Sequence, residues 1–363
     1  MPKKILTIGT ATRDVFLSSS LFRVVHDPAH LEKLGFPTGE AQCFALGGKL
    51  EVEKPILTTG GGAANAAVTF ARQGHQTNLI AKIGEDDNGL AILSDLKKDK
   101  IFYRPIKDKK QGTAYSVILI SPGGERTILH FRGASEDLKN SDLNFTSLRA
   151  EVAYIVPGRI SFSVMTTILK TLKKNGVFVV MNPSKHYLDF GAKKLKPILE
   201  TLDVIILNRE EGADLTGKKY EDEIGIFKKF DELVQGIAVM TDGPKGVTVS
   251  DGENLYRAGI FKEQKIVDRT GAGDAFGSGF VAGLLGNEKW SSKGGSLLTG
   301  QAGSSGGKII RFSKKDIEYA IRLGSANATS VVEAMGAEPG ILTKKQFGTN
   351  KRWKNLAVKT QKI

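Results

Sequence analysis

Short runs of apolar, mostly β-branched residues recur along the chain. They alternate with stretches in which apolar positions return every three or four residues. Val152-Ala153-Tyr154-Ile155-Val156, Val177-Phe178-Val179-Val180-Met181, Val204-Ile205-Ile206-Leu207 and Ile237-Ala238-Val239-Met240 are runs of the first kind. Helical patterns at about 163–174, 192–201 and 224–234 separate them. Strands apolar on both faces, with a helix between each pair, predict a parallel sheet covered on both sides. The expected fold class is therefore α/β, a doubly wound, mostly parallel sheet flanked by helices, with ligands at the carboxyl ends of the strands.

Three stretches break the alternation. Residues 15–58 carry scattered Phe, Pro and Gly, and 113–131 read as two strands around Ser121-Pro122-Gly123-Gly124, a hairpin signal. Such extended pieces are expected to pair into a small β lid over a strand-end site. A Gly/Ser-rich run at about 286–312 reads as an inserted loop. Ser313-Lys314-Lys315-Asp316 then has the spacing of a capping box opening a helix towards Val332.

Composition narrows the class. With 363 residues, 40% apolar and 25% charged, the chain can bury a core and is not a disordered segment. The lone Cys43 excludes a disulfide framework and any multi-cysteine metal site. No apolar run is long enough for a membrane span, and the opening Met1-Pro2-Lys3-Lys4-Ile5-Leu6 reads as a strand, so a cytoplasmic protein is expected. The net charge of +13 invites a nucleic-acid partner. However, seven of the cationic residues fall in 343–363, which holds no acid, and reads as a basic tail. The remaining lysines are scattered, as on a solvated surface, and no nucleic-acid or membrane partner is expected.

The sharpest chemical motif is Asp268-Arg269-Thr270-Gly271-Ala272-Gly273-Asp274-Ala275-Phe276. It follows an extended Lys265-Ile266-Val267 and enters a helix rich in small residues. Small residues at a helix start leave backbone N–H groups open to an anion. A carboxylate there would repel a bound phosphate, so Asp274 makes sense as a base for a hydroxyl that attacks the phosphate beside it. An N-terminal helix position packed between glycines is the alternative for Asp274. The second motif, Gly60-Gly61-Gly62-Ala63-Ala64-Asn65, also leads into a helix, and Asn65 can both donate to and accept from a polyhydroxy ligand. It is not a dinucleotide fingerprint, because Asn65 stands where that pattern needs a small residue.

These two motifs, in this order and spacing, resemble the signatures of the ribokinase-like (PfkB) carbohydrate kinases, over roughly residues 3–342. Asp14, Asn182-Pro183, Asn208-Arg209-Glu210-Glu211, Thr241-Asp242-Gly243-Pro244-Lys245-Gly246 and Gly336-Ala337 match further elements of that family. The resemblance implies an ATP-dependent kinase acting on a primary alcohol of a sugar or sugar derivative. Asp274 would be its general base, and the N–H groups of Gly271, Ala272, Gly273 and Asp274 its anion hole. Asp14, Gly61 and Asn65 would orient the acceptor. Asn182, Asn208, Glu211, Thr241, Gly243 and Gly336 would serve the nucleotide. Glu211 would hold Mg²⁺ largely through water, and Asp268 and Thr270 match positions that border a potassium-like ion. Through the lid, a homodimer is implied as in some members.

Several features temper the substrate reading. Ribokinases proper carry Lys at the position of Gly62 and an acid near Pro157-Gly158-Arg159, which argues against ribose. Arg159 and Arg269 become candidates for anion contacts. A nucleoside kinase of the same family is the nearest rival, and would need stacking residues such as Phe16, Phe22, Phe36 or Phe44. A regulatory protein without catalysis is disfavoured by the intact Asp274. Ala302-Gly303-Ser304-Ser305-Gly306-Gly307-Lys308-Ile309 mimics a phosphate loop, but lacks the leading Gly and the Ser/Thr after Lys. The five histidines show no ligand spacing.

Overall fold

The computed structural model describes residues 1–36, 38–103, 106–144, 148–286 and 312–363. Ten strands form one sheet. In spatial order they are Val358–Lys362, Asn254–Ala258, Val247–Ser250, Ile237–Thr241, Val204–Asn208, Phe178–Met181, Val152–Val156, Lys4–Gly9, Gln76–Ile80 and Phe102–Tyr103. From Ile237–Thr241 to Phe102–Tyr103 every pairing is parallel. The three strands at the other end pair antiparallel.

The apolar runs fold as strands buried on both faces because alternate residues enter different cores. Val152, Tyr154, Val204 and Ile206 pack with Phe70, Phe276, Phe280 and Ile321 of one helical layer. Their neighbours Ala153, Ile155, Ile205 and Leu207 pack with Ile168, Leu195 and Ile226 of the other. In the first layer, the helices Ala272–Leu285 and Lys314–Val332 approach closely. A Cβ at Gly283 would come within 2.5 Å of the Ala320 Cα, so small residues set this contact. Ser313 and Asp316 cap the second of these helices reciprocally. The Gly/Ser-rich insertion between them, apart from Gly286 and Phe312, lies outside the described residues.

The C-terminal residues correct one expectation. Read as a basic tail beyond residue 342, they are part of the fold. Thr343 and Gln346 form a capping box on the helix Lys344–Thr349, Phe347 is buried, and Trp353 packs edge-on against Phe261 with ring centroids 5.1 Å apart. Arg352 grips both oxygens of Glu333 at 2.6 and 2.8 Å. Val358–Lys362 then closes the sheet as its edge strand. Its lysines are exposed and discourage further pairing on that edge, which is why the strand reads as a solvated tail.

A second, four-stranded sheet stands over the carboxyl ends of the large one. Its order is Arg126–Phe131, Tyr115–Ile120, Thr12–Ser18 and Ile56–Gly60, so the first of the two lid pieces runs from Thr12 to Gly60. Between these limits a side hairpin pairs Arg23–His26 with Glu40–Cys43. Among the described residues no helix is long and apolar enough to cross a membrane.

Candidate active site

Two helix N-termini converge on Asp274. Its own helix, Ala272–Leu285, starts at Gly271, whose φ of +77° suits glycine, and a Cβ there would overlap that of Ala337. The helix Gly62–Arg72 starts at Gly61, with φ of +92° and a Cβ position 2.7 Å from the Thr10 carbonyl oxygen. Asn65, in the first turn of that helix, donates its Nδ2–H to Asp274 Oδ2 at 2.9 Å. A Cβ on Gly62 would lie 3.1 Å from Asp274 Oδ1, so a side chain at 62 would crowd the carboxylate. Burial pushes the Asp274 carboxyl above its usual range, and the charge of Asp14 adds to this. The Asn65 hydrogen bond works the other way.

Strand register explains how the lid contributes. Thr58, Asp14, Ser116 and His130 stand opposite one another across the four strands and share one face. Thr58 touches the place where a Cβ on Gly336 would stand, which turns this face towards the loops that carry Asp268 and Gly336. Asp14 is buried, and burial raises its carboxyl while the hydroxyls of Ser116 and Thr12 counter the rise. Thr12 donates to it at 3.0 Å, and Ser116 Oγ lies 3.0 Å from His130 Nδ1. Gly60 is needed because a Cβ there would run into the Asp14 carboxylate. Two rungs further along the same face, Arg126 reaches Asp268 at 3.3 Å. Asp268 is buried and already held by the N–H and hydroxyl of Thr270, at 2.9 and 2.7 Å, and by the Gly336 N–H at 3.2 Å.

Behind the loop at 271–273 lies a cavity of about 420 Å³. Thr241, Gly243, Ala272 and Gly273 line it, with Phe276 and Val332 as apolar walls. The loops at 241–246 and 271–273 thus face one space. Asn182, Asn208, Glu211 and Gly336 stand outside this lining. Asn182 donates its side-chain amide to the Ile206 carbonyl at 2.8 Å, tying two strand ends together. Asn208, in register with Thr241, and Glu211 form a capping box on the helix Arg209–Thr216. The Asn208 N–H donates to Glu211 Oε2 at 2.8 Å, leaving Oε1 without a hydrogen bond among the described residues. Burial, then the charges of Glu210 and Asp214, raise the Glu211 carboxyl, so a dication beside it would be welcome.

Of the two candidate arginines only one joins this space. Arg159 lies 3.5 Å from Glu136, which Arg132 also approaches, whereas Arg269 lines the 420 Å³ cavity, 3.8 Å from Glu263. Phe22 and Phe44 pack on each other, with centroids 5.4 Å apart. Sequence reasoning missed Ser116, His130 and Arg126. Their signal was parity: given Asp14, strand alternation and pairing register select them, but the register is not visible in one sequence.

Comparisons with known proteins bear on the family and the fold. A family model described as pfkB family carbohydrate kinase matches residues 39–344. A ribokinase of Lactococcus lactis is 28% identical over 234 residues, covering 64% of this chain and 74% of that protein. A probable fructokinase-7 of Arabidopsis thaliana is 29% identical over 258 residues, covering 66% and 74%. The structure of Arabidopsis thaliana ribokinase complexed with ribose and ATP superposes with a TM-score of 0.71 at 21% identity, covering 98% of this chain and all of that one.

Proposed function

The chain belongs to the pfkB family of carbohydrate kinases, and from that premise we propose that it transfers the γ-phosphoryl group of ATP to a primary alcohol of a sugar or sugar derivative. The observation that carries this reading is the Asp274 carboxylate, held by Asn65 between two helix N-termini beside the nucleotide cavity. The acceptor hydroxyl gives its proton to Asp274 as its oxygen bonds to the γ-phosphorus, and ADP leaves with the bridging oxygen. The N–H groups of Gly271, Ala272, Gly273 and Asp274 hydrogen-bond the charge that builds on the transferring group. Asp14, Gly61 and Asn65 orient the acceptor, with Ser116 and His130 extending the polar row.

The residues present fit a Mg²⁺ ion bound mainly by water and phosphate: Glu211 offers one oxygen, and no cluster of three acidic or histidine ligands occurs among the described residues. The ion would neutralise charge on the ATP phosphates. Asp268 and Thr270 are the residues we assign to a monovalent cation; the carboxylate of Asp268 is already shared, which leaves backbone oxygens as ligands. On the opposite face of the lid, Leu57, Val15, Val117 and Leu129 form an apolar row that suits a second copy of the chain, a point for sedimentation analysis.

Asp274→Asn tests the mechanism. Turnover should drop by about 10³-fold or more, while ATP binding stays within a few-fold. Turnover at the wild-type rate would refute the role of Asp274. A panel of sugars and nucleosides decides the acceptor, and nucleosides as the preferred substrates would overturn the sugar reading.

A further inference from the structure

A second cavity, of about 450 Å³, lies on the other side of the nucleotide loop. The loop presents alternate residues to the two spaces. Thr241, Gly243, Pro244 and Gly246 line the nucleotide cavity, whereas Met240, Asp242, Lys245 and Val247 line the second one. The floor of the second cavity is a cross-strand row in which Met240, Thr248, Arg257 and Lys359 stand opposite one another. That size suits a small organic ligand.

The charges of this cavity are unbalanced. Arg209, Lys245, Arg257 and Lys359 line it against only two acids, Asp242 and Glu223. Arg209 uses Nη1 on Asp242 at 3.0 Å and Nε on the Tyr220 carbonyl, so among the described residues its Nη2 carries no hydrogen bond. Arg257 spends Nε on Glu223 and Nη1 on Gln361, and among the same residues its Nη2 is likewise open. Lys245 is exposed and only 3.8 Å from Asp242, a loose pair. Lys359 makes no ion pair among the described residues. Two cations are matched by the two acids, and the charge of two more is left over.

We propose that this cavity is a regulatory site for a small dianionic phosphate ester, which loosens the nucleotide loop by drawing Arg209 and Lys245 away from Asp242. Two guanidinium edges and two ammonium groups around one space match the several acceptor oxygens of a phosphate. Asp242 immediately precedes the turn Gly243–Lys245, and its backbone bonds Gly246 and Lys245, so its partners bear on the residues that face ATP. Occupancy therefore weakens nucleotide binding, and the coupling is reciprocal.

The test uses the full chain saturated with a non-hydrolysable ATP analogue and Mg²⁺, so that the γ-phosphate position is filled. Inorganic phosphate is titrated in by calorimetry. Saturable binding is expected, together with a rise of about fivefold or more in the analogue's Kd at saturating phosphate. Lys359→Glu should weaken phosphate binding at least tenfold and abolish the effect on the analogue. Lys362→Glu, on the same strand but on the opposite face, makes the same charge change and should alter neither by more than twofold. Absence of saturable binding, an unaffected Lys359→Glu protein, or equal losses in both variants would overturn the proposal. Lys359→Gln replaces Lys359→Glu if the latter melts below the wild type.

Discussion

Removing the amide of Asn65 isolates what the structure does to the carboxylate proposed as the base. Among the described residues, Asn65 Nδ2 is the one side-chain donor to Asp274, at 2.9 Å, and it opposes the upward push of burial. A hydrogen bond to a charged group contributes about 1.5–3 kcal/mol. At roughly 1.4 kcal/mol per pH unit, Asn65→Ala should carry the ionisation of Asp274 upward by about one to two units. The lower figure applies if water enters the space and replaces the donor. The sign is fixed: the base form becomes scarcer at a given pH, and the acid limb of the pH profile moves to higher pH. Below that limb kcat/KM should fall about 10- to 100-fold, and at high pH kcat should approach that of the wild type. ADP formation measured discontinuously from pH 5 to 10, with saturating and limiting acceptor, gives both parameters. A loss equal at every pH, with the acid limb unmoved, would refute the argument and confine Asn65 to substrate contact.

Further expectations concern the lid, the buried charge and the C-terminus. Arg126→Ala removes the one-third-exposed partner of the buried Asp268, which keeps the donors of Thr270 and Gly336, so the loss is about 1 kcal/mol. It should leave Tm within about 2 °C but raise the acceptor KM several-fold; an unchanged KM would mean that Arg126 does not bear on the site. Burial pushes the Glu338 carboxyl from 4.5 up to about 8, with Asp95 adding to the rise, and among the described residues its Oε1 has no hydrogen bond. Because the folded-state value is raised, the stabilising contribution of this group is complete below pH 4.5 and is lost as pH climbs through about 8. Glu338→Gln should therefore melt progressively higher than the wild type across that window, and the two curves should meet at acid pH. Trp353→Ala should cost about 3–5 kcal/mol, lowering Tm by roughly 4–7 °C in a chain of this length; a dispensable tail would show no change.

The parallel half of the sheet was legible because runs such as Val204-Ile205-Ile206-Leu207 are apolar on both faces, which few other arrangements permit. Gly271, Gly61 and Asp274 were legible because backbone conformation and chemistry demand those residue types locally. The edge strand Val358–Lys362 was not, since an exposed strand carries no apolar alternation, and neither was Trp353, whose partner Phe261 lies far away in sequence. Ser116 and His130 join the site only through pairing register. Asn208 and Glu211 show the converse: the pattern was visible, yet the structure gives the pair a capping role as well.

The lid's interleaved faces restrict how this protein can change. Asp14, Ser116 and His130 look inward, while Val15, Val117 and Leu129 look outward, one residue apart on each strand. Adding or deleting a single residue within one of these strands would exchange the two sets, placing the polar groups outside and the apolar row inside. If the polar row meets the acceptor as proposed, substrate choice diversifies by point substitution at alternate positions. Length changes that leave the parity of these four strands intact fall in the turn at 121–125 and in the segment 19–55, outside the side hairpin's own strands.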